Sequence, residues 1–176
     1  GDLYIDSDSN KIKWKPNAKL SPIVDFPLRG SDDLAGCVVI YEMPYEDSEG
    51  KIPYGMYLAG TDPYDHDDST TSSLGSTLII NKLTNRIVAE YTGRPDTANA
   101  YYEKVRRLLH FYNAKCLYEN ERKGMYQYLE FKNQTHLLLD QPTIIKDVVQ
   151  NSKVNRGKGM HMSKPLKDYG EELIKM

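Results

Sequence analysis

The chain has 176 residues, a formal net charge of -2 and 39% apolar residues, with a mean hydropathy of -0.63. That length fits one domain with a real core, and the composition excludes wholesale disorder. No run approaches the roughly 20 apolar residues of a membrane helix, and no N-terminal segment resembles a signal peptide, so a soluble, cytoplasmic protein with no membrane partner is expected.

Residues 1–35 are polar and punctuated by Pro16, Pro22 and Pro27. They read as a lead-in or linker with one short strand, leaving 36–176 as the domain proper. A strand is predicted over 37–43, ended by Pro44, and a second over 54–60. The β-rich runs 76–81 and 87–92, separated by a short turn, read as a hairpin. Pro95 and Asp96 then open a helix whose apolar set, Tyr101, Val105, Leu108, Leu109 and Tyr112, has helical spacing. Further on, a strand over 114–118, a helix over 125–131, a strand over 136–139 and a helical piece near 143–150 are expected. A basic, glycine-containing loop over 152–164 leads into a last helix. Cys37 and Cys116, each in an apolar run, read as buried free thiols. Fourteen tyrosines against three phenylalanines predict a core and rim of amphipathic rings whose hydroxyls need partners. Antiparallel strands first, then strands alternating with helices, predict an α/β fold with a mixed sheet covered by helices.

The second strand runs through Gly60 into four aspartates, Asp62, Asp65, Asp67 and Asp68. Glu119 follows the strand 114–118 in the same way. If those two strands are parallel neighbours, Asp62 and Glu119 converge at one end of the sheet, and Gly60 lets a ligand approach closely. Two carboxylates with water and phosphate oxygens suit a hard cation such as Mg²⁺. A pair of such ions about 3.5–4 Å apart serves phosphodiester hydrolysis. The plainer alternative is a pair of acids at ordinary turns, since Asp-Pro is a routine turn opener. An EF-hand is excluded: counting from Asp62, Asp67 stands where glycine is needed and Ser73 where glutamate is needed. Zinc ligand spacing is absent among two cysteines and four histidines.

The stretch "YLAGTDPYDHDDST" (57–70), followed by a hairpin, a long helix and "AKCLYENERKG" (114–124), resembles the C-terminal nuclease domain of phage terminase large subunits, a ribonuclease H-like fold. The resemblance spans roughly residues 36–176. It implies Asp62 and Glu119 as catalytic, metal-binding acids, with Asp65 as a further metal contact and two Mg²⁺ or Mn²⁺ ions as cofactor. It also implies double-stranded DNA as substrate and the host-cell cytoplasm as location. In the full-length protein it implies an ATPase domain, a portal and a small terminase subunit as partners. The family's third acid, on a helix after the last core strand, has no clear counterpart, and is expected beyond Met176. The family's ATPase motif, G-x-x-x-x-G-K-[ST], does not occur.

Residues 1–70 carry 6 Lys+Arg against 14 Asp+Glu, and residues 71–176 carry 17 against 11, which fits a metal site beside a polyanion. Arg122, Lys123, Lys153, Arg156 and Lys158 are the expected DNA-backbone contacts, the first two because they follow Glu119 directly. The loop containing the other three reads as a flexible arm over a substrate groove. The expected activity is thus a metal-dependent endonuclease cutting double-stranded DNA in phage genome packaging. The alternatives are another ribonuclease H-like nuclease, such as a junction resolvase or transposase core, or a non-catalytic binding module with a solvated acidic loop.

Overall fold

The computed structural model describes residues 1–28, 30, 33–64, 73–121, 123–143 and 157–175. Strands β1 (Asp2–Ile5) and β2 (Ile12–Lys15) form a hairpin. The main sheet comprises β3 (Val38–Ile40), β4 (Tyr57–Asp62), β5 (Gly75–Asn81), β6 (Arg86–Gly93) and β7 (Lys115–Tyr118), in the order β3-β6-β5-β4-β7. All neighbours are antiparallel except β4 and β7, which run parallel. A parallel pair needs a crossover, and the β5–β6 hairpin plus helix α1 (Ala98–Phe111) supplies it. An interior strand, β4, with an antiparallel partner on one side and a parallel partner on the other, in a mixed sheet flanked by helices, is consistent with the ribonuclease H-like arrangement that the resemblance implies.

The two faces of the sheet differ. Along β4, Tyr57, Ala59 and Thr61 are buried, whereas Leu58 is half-buried and Gly60 and Asp62 are exposed. The buried face is covered by α1, whose predicted stripe of Tyr101, Val105, Leu108, Leu109 and Tyr112 is fully buried. Thr97, not Asp96, caps the helix: its hydroxyl accepts the Ala100 amide at 3.1 Å. The core is rich in tyrosine, and its hydroxyls find partners. Tyr91 donates to the Ala35 carbonyl at 2.9 Å, Tyr112 to the Glu42 carbonyl at 2.6 Å, and Tyr101 shares a 3.0 Å hydrogen bond with Thr77. The Tyr91 and Tyr101 rings stack with centroids 5.3 Å apart. Both cysteines are free and buried.

Helix α2 (Gly124–Phe131) buries Met125 and Leu129 and packs on α1. Between them Glu103 accepts hydrogen bonds from Arg106, Arg107 and Tyr128. Burial alone would raise its carboxyl, but these donors outweigh it and hold it down at about 2. Arg106 and Arg107 are therefore occupied inside the fold.

Three expectations differ from what is found. The lead-in contains two strands, not one: Leu3 is buried and its carbonyl accepts Arg107 at 3.0 Å, so the hairpin is held on α1 by tertiary contacts. The strand over 136–139 is instead a 3₁₀ turn, Thr135–Leu137, after which Leu138 meets β7 through a single parallel bridge to Cys116. The flexible arm is corrected over its described part, because the chain from Gly157 is tied down: Gly159 donates to Leu139 and Met160 to Tyr118, each at 2.8 Å. Helix α3 (Lys164–Lys175) follows, with Leu166 buried against Met160, Met162 and Tyr169. The helical piece near 143–150 lies almost wholly outside the described residues. Among the described residues no helix is long and apolar enough to cross a membrane.

Candidate metal centre

Asp62 is the last residue of β4, and Glu119 immediately follows β7. The parallel register pairs Gly60 with Leu117 and Thr61 with Tyr118, so Asp62 and Glu119 come next, in phase. Side chains alternate along a strand, and both acids therefore stand on the open face. The Glu119 amide extends the ladder by donating to the Thr61 carbonyl at 2.9 Å.

The two carboxyl groups stand side by side at adjoining strand ends. Partial burial, followed by the Asp62 carboxylate and then Glu121, pushes the Glu119 carboxyl up to about 7; Lys167 of α3 opposes this. Two carboxylates so placed repel unless a proton or a cation lies between them.

They sit at the end of a cavity of about 580 Å³ whose floor is the open sheet face, with Leu58, Leu78, Leu117, Leu139 and Met162 among its lining. Gly60 faces it beside Asp62, and a Cβ at that position would meet nothing within 4 Å. No packing constraint explains this glycine; what it leaves is room next to the acid.

The other side of Glu119 is held by the segment beginning at Gly157. The Met160 amide donates to the Tyr118 carbonyl at 2.8 Å, and the Met160 carbonyl accepts the Asn120 amide at 2.8 Å. The Asn120 side chain donates to the Lys158 carbonyl at 2.7 Å. Gly159 makes this approach possible: its φ is +82°, and a Cβ there would lie 2.5 Å from the Tyr118 ring. Glu119 is thus clamped between β4 and this strap.

The donor set is oxygen only, rigidly mounted and open to the groove, which fits Mg²⁺ or Mn²⁺ completed by water and phosphate oxygens. Among the described residues no group of three or more His, Cys, Asp or Glu side chains is placed to hold an ion. The structure brings Asp62 and Glu119 together. Asp65, Arg122, Lys153 and Arg156 lie outside the described residues. Lys123 is exposed at the start of α2. Lys158 is half-buried, with its ammonium 3.0 Å from the Asp140 carboxylate. Sequence reasoning missed Lys167, Asn120 and Gly159. Only Gly159, a glycine in a basic loop, left a signal there.

No protein-family model matches the chain, and none of the curated proteins matches it.

Proposed function

We propose that the protein is a metal-dependent endonuclease that hydrolyses phosphodiester bonds of double-stranded DNA, with the role of a phage terminase nuclease in genome packaging. The observation that carries this reading is the Asp62–Glu119 pair, held in parallel register at the edge of an open groove. The placement of the pair on β4 and β7 matches the order of acids in the family that residues 57–124 resemble.

When bound, a pair of hard cations supplies Lewis acidity at the phosphoryl centre and charge neutralisation for the leaving oxygen. The chain's own part is positional. Thr61 and the 157–160 strap fix Glu119, β4 fixes Asp62, and Gly60 leaves space for a phosphate against the pair. Asp62 and Glu119 would hold the ions, and the Glu119 carboxyl, whose proton is favoured by burial and by Asp62, would release that proton to solvent when it serves as a ligand. Lys123, together with Arg122, Lys153 and Arg156, seats the backbone through sequence-independent charge attraction.

The test is nicking of supercoiled plasmid in Mn²⁺ by the wild type, Asp62→Asn and Glu119→Gln. Cleavage by wild type alone is expected. Equal cleavage by all three, or cleavage by none in a chain extended past Met176, removes the assignment.

A further inference from the structure

We infer that the Ser76 hydroxyl contacts the substrate beside the Asp62–Glu119 centre, donating a hydrogen bond to a DNA phosphate that lies over the pair. This rests on the nuclease reading above and adds a residue of β5, which neither the acidic motif nor the basic loop contains.

The placement follows from the register of the sheet. Asp62 on β4 pairs with Ser76 on β5, and Ser76 in turn pairs with Thr92 on β6. Paired residues of neighbouring strands share a face of the sheet, with Cβ atoms about 5 Å apart. Glu119, Asp62, Ser76 and Thr92 therefore form one row across four strands, with Ser76 next to the acid. Ser76 is half-buried and in phase with Leu78 and Ile80, whereas Gly75, Thr77 and Ile79 of the same strand are buried. It lines the groove together with Asp62, Glu119 and Gly60. The next row, Leu117, Gly60, Leu78 and Glu90, offers a phosphate no side-chain donor.

The hydrogen bonding leaves that hydroxyl able to act. Ser76 Oγ and Thr92 Oγ1 lie 3.3 Å apart, and either can donate to the other. A hydroxyl carries one donor and two acceptor lone pairs, so Ser76 can accept from Thr92 and still turn its own proton into the groove. Thr61, which also borders the groove, is committed elsewhere: its hydroxyl lies on the buried face, 3.1 Å from that of Thr77. A serine suits a place beside two acids, because it supplies a donor to phosphate without a positive charge that would compete with the cations. A hydroxyl that only braced Thr92 would leave DNA binding unchanged, which makes the two roles separable.

The test uses the full chain in an Asp62→Asn background, which blocks cutting. Binding of a fluorescein-labelled DNA duplex is followed by anisotropy across a salt series. Ser76→Ala should weaken binding roughly 3–10-fold, the size of one hydrogen bond. The factor should be the same at every salt concentration, because a neutral hydroxyl releases no counterions. Ser76→Thr, which keeps a hydroxyl, should bind within about twofold of the parent. So should Thr92→Val, which breaks the same Ser76–Thr92 bond but leaves Ser76 in place. In an otherwise wild-type chain, Ser76→Ala should keep its calorimetric Mn²⁺ affinity; a loss of about tenfold would make Ser76 a support of the metal ligands instead. That loss overturns the substrate contact while the nuclease reading stands. The same holds if Ser76→Ala matches its parent, or if Ser76→Thr or Thr92→Val loses as much. A parent that binds no duplex also overturns the contact, and the nuclease reading falls with it only if the plasmid test above fails too.

Discussion

The Glu119 amide donates to the Thr61 carbonyl at 2.9 Å, and that one hydrogen bond sets the carboxylates of Asp62 and Glu119 side by side. It adds one step to the β4–β7 ladder beyond the Thr61–Tyr118 pair, so the residue after each strand's last paired position carries an acid at the same sheet end. Both acids project to the open face, and backbone pairing holds them together against their mutual repulsion.

That repulsion gives a pH signature. The Glu119 carboxyl lies at about 7 in the fold against 4.5 in an unperturbed chain, so between those values the folded state holds more protons than the unfolded one. Its contribution to stability is fully present below about pH 4.5 and is lost as pH rises to about 7. In chelator, urea unfolding should show wild type losing about 1–2 kcal/mol from this group between pH 5 and 8, reduced from the full linkage value by solvent screening. Glu103, held at about 2, acts only on the acid side of about pH 4.5. His136, lowered by burial and by Lys115, acts in the opposite direction. The difference between wild type and Glu119→Gln isolates the acid pair: the variant should be the more stable at pH 8, and the gap should close toward pH 5.

Gly60 separates folding from function. A Cβ there meets no neighbour within 4 Å and points into the open groove, so Gly60→Leu should keep the fold within about 1 kcal/mol of wild type by urea unfolding. It would nevertheless fill the space beside Asp62 where a phosphate must lie, and plasmid cleavage should fall roughly tenfold or more, since small displacements of a reacting group are costly. Unchanged cleavage would mean that the substrate approaches from elsewhere.

Gly159 has the opposite character. Its φ of +82° and the 2.5 Å approach to the Tyr118 ring leave no room for a methyl group. Gly159→Ala should destabilise the fold by about 2–3 kcal/mol. It should also loosen the strap that holds Glu119, so cleavage should be impaired even well below the melting temperature. Thermal unfolding and cleavage assays on the same preparation check both.

Much of this could be read from residue pattern alone, because the relevant forces are local. The stripe from Tyr101 to Tyr112 is periodic enough to declare α1, and the apolar runs before Asp62 and Glu119 declare β4 and β7. Glycine and acids after an apolar run mark the end of a strand, which is why the candidate pair was legible. The β1–β2 hairpin was not, because its stability comes from Leu3 docking on a helix about a hundred residues later. Leu137 and Leu138 looked like a strand, yet β7 grants them one bridge, and the ladder beyond it passes to Gly159 and Met160. The place of α3 was invisible for the same reason: nothing in its neighbours indicates that Leu166 packs on Met160 of the strap.

The central claim is that Asp62 and Glu119 together hold hard cations, and calorimetric titration of Mn²⁺ tests it most directly. Wild type at pH 6.5 should bind Mn²⁺ with release of a proton, seen as a heat that depends on the buffer's ionisation enthalpy, and should bind more tightly at pH 8. Asp62→Asn and Glu119→Gln should each weaken binding at least about tenfold, and Glu119→Gln should abolish the proton release. Equal Mn²⁺ affinity in all three proteins would contradict the account.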